Sequence, residues 1–544
     1  MDRRCRGFRQ WACRLTSEQT RGAVRMLLLI LATGACARGW IVFSAEQMPG
    51  VNGAYGLVQT RSLLEKGTLG LPDFPLMFAL QAGVAWLLQR IVGLGINDSV
   101  ALAVRLCVTL LPPLAAVPVF FLGRTWSARV GRPRSSLPLA AAAMVSFGGP
   151  AMGMTGNIDK NALALVWLSG LLWTLHACME RPSRGALAAM ELCLVLLGLT
   201  HVGVFGAAMV ITACVCAVYV ARPGAPPLTT TLPAVAASMV IVGAAESLIF
   251  RRFDPARIER LARALTDPGA FLWRQPVLPP STSDLLPPVP DGLPFMLIAV
   301  AIAHFAVLGV LVACVLRLVR TRRDELTDAD IALVSGSAMA TAVLTGPWVV
   351  HGDAALRLEL IAVLPAIVVA MFALTYTERR ILRRALTLLV CLAVIGPGVP
   401  YTAVAWRPLS SGAYEEMKSL SADIRRPART LIVAEHGIEW NAAWVLHTHV
   451  AQTSALSPDD WQRYDDVLFL VSKDEPAPFG PPGFGPPGSH GRGHEPGPGG
   501  RLGPHPPMRR PVRIPDDAVI LHDGQHLTLA RVNAPSPSIA RSSS

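Results

Sequence analysis

Residues 155–181 read TGNIDKNALALVWLSGLLWTLHACMER, a polar turn, a long apolar run and an arginine. As a helix, the run at 160–178 is long enough to cross a hydrocarbon layer of about 30 Å. The arginine continues into Arg184, and basic residues at one end of a span mark its cytoplasmic side. The same unit recurs outward in both directions. Apolar blocks at 23–43, 100–123, 137–153, 160–178, 184–199, 203–221, 229–249, 293–320, 328–349, 356–377 and 383–404 predict eleven transmembrane helices. A further stretch at 75–94 invites a twelfth, but a full crossing there would turn the loop with Arg124, Arg129, Arg132 and Arg134 outward. Treated as a juxtamembrane or re-entrant helix, it leaves that loop inside, together with Arg181 and Arg184, Arg317 to Arg323, and Arg379 to Arg384. The basic N-terminus, 1–22, is then cytoplasmic.

Composition agrees. Of 544 residues, 52% are hydrophobic and 16% charged, where soluble domains carry roughly 25% charged residues. The net charge of +12 sits between the apolar blocks, so it reports topology and gives no nucleic-acid-binding face. The expected fold class is an all-α polytopic membrane domain over 23–404 with long outer loops at 44–99 and 250–292. The second of these is basic (RRFDPARIERLARAL), which long loops are permitted to be. From 405 to 544 a small soluble α/β domain is expected on the outer side of a cell inner membrane. TLIVAEHG (430–437), DVLFLVSK (466–473) and AVILHDG (518–524) read as its strands. Its Pro/Gly-rich stretch 475–512 is expected to be a disordered insertion. His490, His494 and His505 there read as a metal tract or as compositional drift. All ten cysteines lie at or before Cys391, so no disulfide is expected in the outer domain.

Polar groups at the outer ends of spans are costly and therefore informative. Asn52 lies in the first outer loop, just before the amphipathic LVQTRSLLEKG. Asp159 and Asn161, two apart in the second, read as ligands reaching one hard cation from a loop, or Asp159 as a helix cap. His351, Asp353 and Arg357 mark the turn before the tenth span, and Glu246 the end of the seventh. Arg251 and Arg252 suit a phosphate or pyrophosphate, or anionic lipid head groups. His201 and His304 read as packed core or as helix-helix hydrogen bonders rather than ligands.

The order of these features resembles the GT-C superfamily of membrane glycosyltransferases, and within it the catalytic subunit of oligosaccharyltransferase. Asn52-Gly53-Ala54-Tyr55, Arg61, Phe74-Pro75-Leu76, the Leu-Pro-Pro span ending at Arg124, and Thr155 to Asn161 carry the likeness. So do Arg357 before an aliphatic-Pro span and Val433 to Trp440, where that family has a Trp-Trp-Asp-Tyr-Gly motif. The resemblance runs over about 23–450 and departs at Asn52 and Asn161, where the family has acids, and at Glu435 and His436. It implies transfer of a sugar or oligosaccharide from a polyprenyl-(pyro)phosphate donor to a protein or glycan acceptor on the outer membrane face. Asp159, Asn52 and Asn161 are the implied catalytic residues, and Arg357, Arg251 and Arg252 the donor-phosphate contacts. Glu435, His436, Glu439 and Trp440 are the implied acceptor contacts. A divalent cation, Mg or Mn, would be held by Asp159, Asn52 and Asp353. The competing expectations are an inactive relative that binds lipid-linked sugar or scaffolds a partner, and a transporter or flippase. Transporters usually show two related halves with broken helices, which this sequence lacks.

Overall fold

The computed structural model describes residues 18–71, 73–222, 231–244, 326–345, 352–399, 407–451, 456, 458–474, 512 and 514–532. The expected insertion at 475–512, apart from Val512, and the expected loop and span at 250–320 lie outside the described residues.

The helical part begins with α1 (Glu18–Phe43), α2 (Gly53–Lys66), α3 (Leu76–Val92) and α4 (Ile96–Leu110). Pro112 and Pro113 then force a 3-10 turn, Pro112–Ala115, before α5 (Ala116–Arg129), because neither proline can donate the helical N–H. The block expected as a single span at 100–123 is thus a bent pair running from Ile96 to Arg129. There follow α6 (Leu137–Phe147), a short turn Gly149–Gly153, α7 (Asp159–Glu180), α8 (Arg184–Thr200), α9 (Val202–Val220) and α10 (Thr231–Ala244). Then come α11 (Asp328–Leu344), α12 (Gly352–Tyr376) and α13 (Arg380–Ile395).

Among the described residues, five helices are long and apolar enough to cross a membrane: Arg21–Phe43, Ile96–Arg129, Asp159–Glu180, Val202–Val220 and Arg357–Tyr376. Leu76–Val92, Leu137–Gly153 and Thr231–Val242 are shorter apolar helices. The chain is a multi-pass membrane protein. Eleven remains an expected count. The stretch expected to be re-entrant is α3, which packs on α2 and α4 and exposes Trp86, Leu87, Ile91 and Val92.

The bundle core is aliphatic and centred on α7, with Leu168, Leu171, Leu172 and Leu175 all fully buried. At one end of the bundle a buried charged cluster joins the helices. Asp330 (fully buried) accepts from Trp126 Nε1 at 2.8 Å and from Thr327 Oγ1 at 2.8 Å, pairs with Arg129, and lies 2.8 Å from His176 Nε2. Arg129 also pairs with Glu180.

The C-terminal part is α14 (Ser411–Ser419), β1 (Thr430–Ala434), α15 (Ile438–Val445), β2 (His449–Ala451), α16 (Pro458–Arg463), β3 (Asp466–Ser472), β4 (Val519–Asp523) and β5 (Leu527–Val532). The sheet order is β2-β1-β3-β5-β4, with β1 parallel to β2 and β3, and β3-β5-β4 antiparallel. β1 and β3 are central and buried along most of their length, which is why they read as unbroken apolar runs. Three strands match the sequence reading. β2 and β5 were not expected, β2 because three residues carry no period and β5 because Arg531 interrupts its alternation.

Candidate functional site

Two loops meet at the N-terminal end of α7. Gly50 and Gly156 both take left-handed backbone angles (φ +79° and +77°), and each lies so close to the opposite loop that neither has room for a Cβ. A Cβ on Gly156 would stand 2.5 Å from the Pro49 carbonyl oxygen, and one on Gly50 would stand 2.4 Å from the Gly156 oxygen. That approach lets Asn157 Oδ1 accept from Val51 N–H (3.1 Å) and the Asn157 carbonyl accept from Asn52 Nδ2 (2.9 Å). Asp159 Oδ1 accepts from Gly156 N–H at 2.7 Å. Asn52 and Asp159 are therefore each hydrogen-bonded to the same Gly156–Asn157 turn.

Cations brace this arrangement. Arg105 donates to the carbonyls of Ala45 and Glu46, Arg407 to Gln47 O (3.2 Å) and Ser44 Oγ (2.8 Å), and Lys418 pairs with Glu46. From inside the bundle, the fully buried Arg38 donates to Gly34 O (3.1 Å) and to Ala151 O (3.3 Å), holding the turn that leads into the second loop. Beside Asp159, Lys160 Nζ lies 2.7 Å from Asp73 Oδ1 and close over the rings of Tyr55 (5.7 Å) and Phe78 (5.8 Å). Asp73 also accepts from Tyr55 Oη at 2.6 Å.

The C-terminal part docks on the same place. At the turn after β1, Gly437 (φ +102°) would bring a Cβ within 3.3 Å of Val51. Trp440 packs edge-on to Tyr55 (4.8 Å between centroids). Arg61 lies over Trp444 (5.2 Å) and donates to the carbonyls of Ala443 (3.2 Å) and Trp444 (3.3 Å) at the C-terminal end of α15, where a cation suits the helix dipole. It also contacts His447 Nδ1. Burial first, and the charge of Arg61 second, hold the His447 imidazole below its ordinary pKa.

Arg357 belongs to the same end of the bundle. Trp126 touches both His176 near the end of α7 (6.1 Å) and Phe372 near the end of α12 (4.7 Å). Their C-terminal ends therefore coincide. At 1.5 Å per residue, Asp159 stands about 25 Å from His176 and Arg357 about 22 Å from Phe372, which puts both at the opposite end, beside the loops.

Several expected residues behave otherwise. Asp159 and Asn161 do not share a loop: both are in the first turn of α7, where residues two apart point roughly 200° away from each other. Asn161 is 1% exposed and its Nδ2 has no hydrogen-bond partner among the described residues. Asp159 is not the helix cap, since Ile158 holds that position. Glu439 and Trp440 are buried; Glu439 lies 2.8 Å from His436 Nδ1, and His436 is 43% exposed. Of the expected acceptor contacts, Glu435 and His436 are half-buried, Glu439 pairs with His436 and Trp440 packs on Tyr55. Asp353 lies in the first turn of α12. Arg251, Arg252, Glu246, His304, His351, His490, His494 and His505 lie outside the described residues. Asp73, Arg38 and Arg105 escaped the sequence reading. A single arginine inside an apolar run was the available signal for Arg38.

The chain superposes on ArnT from Cupriavidus metallidurans bound to undecaprenyl phosphate with a TM-score of 0.51 and 13% identity, covering 84% of this chain and 94% of that one. The chain has the GT-C fold. Two further GT-C structures score lower. The Archaeoglobus fulgidus oligosaccharyltransferase, in complex with Zn and sulfate, gives 0.48 at 14% identity over 81% of this chain and 67% of that one. The arabinofuranosyltransferase AftD from Mycobacteria gives 0.43 at 14% over 81% and 35%. No protein-family model matches the chain, and no curated protein does. Among the described residues, no group of three or more His, Cys, Asp or Glu could hold a metal ion. Among the described side chains around Asp159, the donors are one carboxylate, already accepting from a backbone N–H, and the carboxamide of Asn52, whose Nδ2 donates to the Asn157 carbonyl. That set fits a divalent ion poorly.

Proposed function

We propose that the chain is a membrane glycosyltransferase that moves a sugar or oligosaccharide from a polyprenyl-(pyro)phosphate donor to a protein or glycan acceptor. The reaction takes place at the outer face of a cell inner membrane, with the N-terminus in the cytoplasm and the 405–544 domain outside. One observation carries the reading: segments some hundred or more residues apart, at 50–52, 156–159 and 435–440, converge at the end of the bundle that also holds Arg357. A donor with a polyprenyl tail keeps its lipid in the bilayer and presents its phosphate at the interface, which is where such a site must lie.

Chemically, the C1–O bond to phosphate breaks and its electron pair leaves on the phosphate oxygen. The acceptor heteroatom bonds to C1 and passes its proton to the Asp159 carboxylate, whose orientation the Gly156 N–H fixes. Arg357 offers two parallel donors to the departing phosphate, with Arg251 and Arg252 as further candidates. Glu435 and His436 contact the acceptor. With a radiolabelled polyprenyl-linked sugar, Asp159→Asn abolishes transfer by the purified protein. The asparagines at 52 and 161 favour a second reading, an inactive relative that binds or scaffolds. Wild-type protein that binds the lipid-linked sugar and never transfers it establishes that reading in place of the first.

A further inference from the structure

The strongest feature left over is the cation beside Asp159. The family resemblance implies a divalent ion held by acids, yet two of the three matched positions are asparagine, and the described residues hold no cluster of metal ligands. The same turn does carry a fixed positive charge. Lys160 follows Asp159 directly, its ammonium lies against Asp73 and beside both the Tyr55 and the Phe78 ring, and its side chain is 23% exposed where Asp73 is 7% exposed. The aromatic faces favour a cation, and the ion pair holds it there. It also stands at the N-terminal end of α7, a helix of 22 residues whose dipole attracts negative charge. Arg38, beneath the same turn, has no carboxylate hydrogen-bonded to it among the described residues, and its Nε has no partner among them. The turn thus sets an ammonium, a helix N-terminus and a buried guanidinium beside its two carboxylates, with no cluster of metal ligands among the described residues.

We propose that this chain binds the phosphate of its lipid-linked donor without a divalent ion, the fixed ammonium of Lys160 supplying the positive charge. The proposal rests on the transferase reading and deepens it. Asp73 is then a positioning residue, holding the ammonium beside the Tyr55 and Phe78 rings while the site is empty and giving it up to the incoming phosphate.

The test uses purified full-length protein and undecaprenyl phosphate in detergent micelles, with Mn2+ followed separately by electron paramagnetic resonance. Wild-type protein is expected to bind the lipid equally with EDTA or Mg2+, and to leave equimolar Mn2+ free. Lys160→Gln should weaken lipid binding by about 10- to 100-fold, the worth of one charge-assisted hydrogen bond. Lys160→Arg should keep most of the affinity. Asp73→Asn, which removes the competing carboxylate and retains the ammonium, should bind at least as tightly as wild type. Stoichiometric Mn2+ uptake, or lipid binding lost in EDTA, overturns the proposal and leaves the transferase reading standing. So does an Asp73→Asn loss equal to that of Lys160→Gln, because the clasp and not the charge would then matter. Wild-type protein that ignores the lipid under every condition removes the transferase reading and this inference with it.

Discussion

Replacing Gly156 by alanine isolates the contact on which the site depends. Gly156 and Gly131 share nearly the same left-handed backbone (φ +77° and +69°), but a Cβ at Gly131 meets nothing within 4 Å. Alanine at Gly131 therefore costs only the conformational term, about 1–2 kcal/mol. At Gly156 the new Cβ would lie 2.5 Å from Pro49 O, so the loops must part by about 0.9 Å to reach the 3.4 Å of ordinary contact. Parting breaks or stretches the hydrogen bonds from Val51 N (3.1 Å) and Asn52 Nδ2 (2.9 Å) to Asn157, each worth about 0.5–1.5 kcal/mol. The total for Gly156→Ala is about 2–5 kcal/mol. Because Asp159 is hydrogen-bonded to the residue being changed, a shift near 1 Å should also slow transfer by about 100-fold. Both variants would be compared with wild type by thermal midpoint in detergent and by initial rate with a radiolabelled polyprenyl-linked sugar. Equal losses in the two variants would refute the close approach of the loops, and so would full activity in Gly156→Ala.

Further consequences follow at other sites. Asp330→Ala strands Arg129, Trp126 and His176 in the buried cluster and should cost about 3–5 kcal/mol. Asp328→Ala removes a pair with Arg222 in which Asp328 is 36% exposed and should cost no more than about 1 kcal/mol; thermal midpoints of the two that agree would contradict the burial. His447 is held below its ordinary 6.5, so the folded state prefers the neutral ring. That contribution is present above 6.5 and is lost as pH falls through the lowered folded value. Docking of α15 on α2 should therefore loosen on going from about pH 8 to about pH 5, read by emission of Trp440 and Trp444. His447→Asn, which tolerates the positive φ of 56°, should flatten the response; a pH-independent wild type would disprove the linkage.

Much of the fold was legible because a bilayer and a sheet each impose a period. Apolar runs of membrane-spanning length mark α7 and α12, and unbroken β-branched and aliphatic runs mark β1 and β3. The Pro112-Pro113 bend between α4 and α5 was visible as residues but not as a break, since neighbouring helices decide whether a proline kinks a span or ends one. β2 was too short to carry a signal at all.

The sequence by itself determined the class of protein, the end of each span at which polar residues gather, and the likeness to a transferase family. These are properties of one segment at a time, set by how many apolar residues stand in line. Only the tertiary structure decided which polar residues meet. Lys160 finds Asp73 at a separation of 87 positions, and Arg61 finds the end of α15 more than 380 positions away. It also turned Asp159 and Asn161 apart, because the first turn of a helix begins where the sequence shows only a polar loop. Such meetings depend on the relative height and rotation of packed helices, and periodicity carries neither.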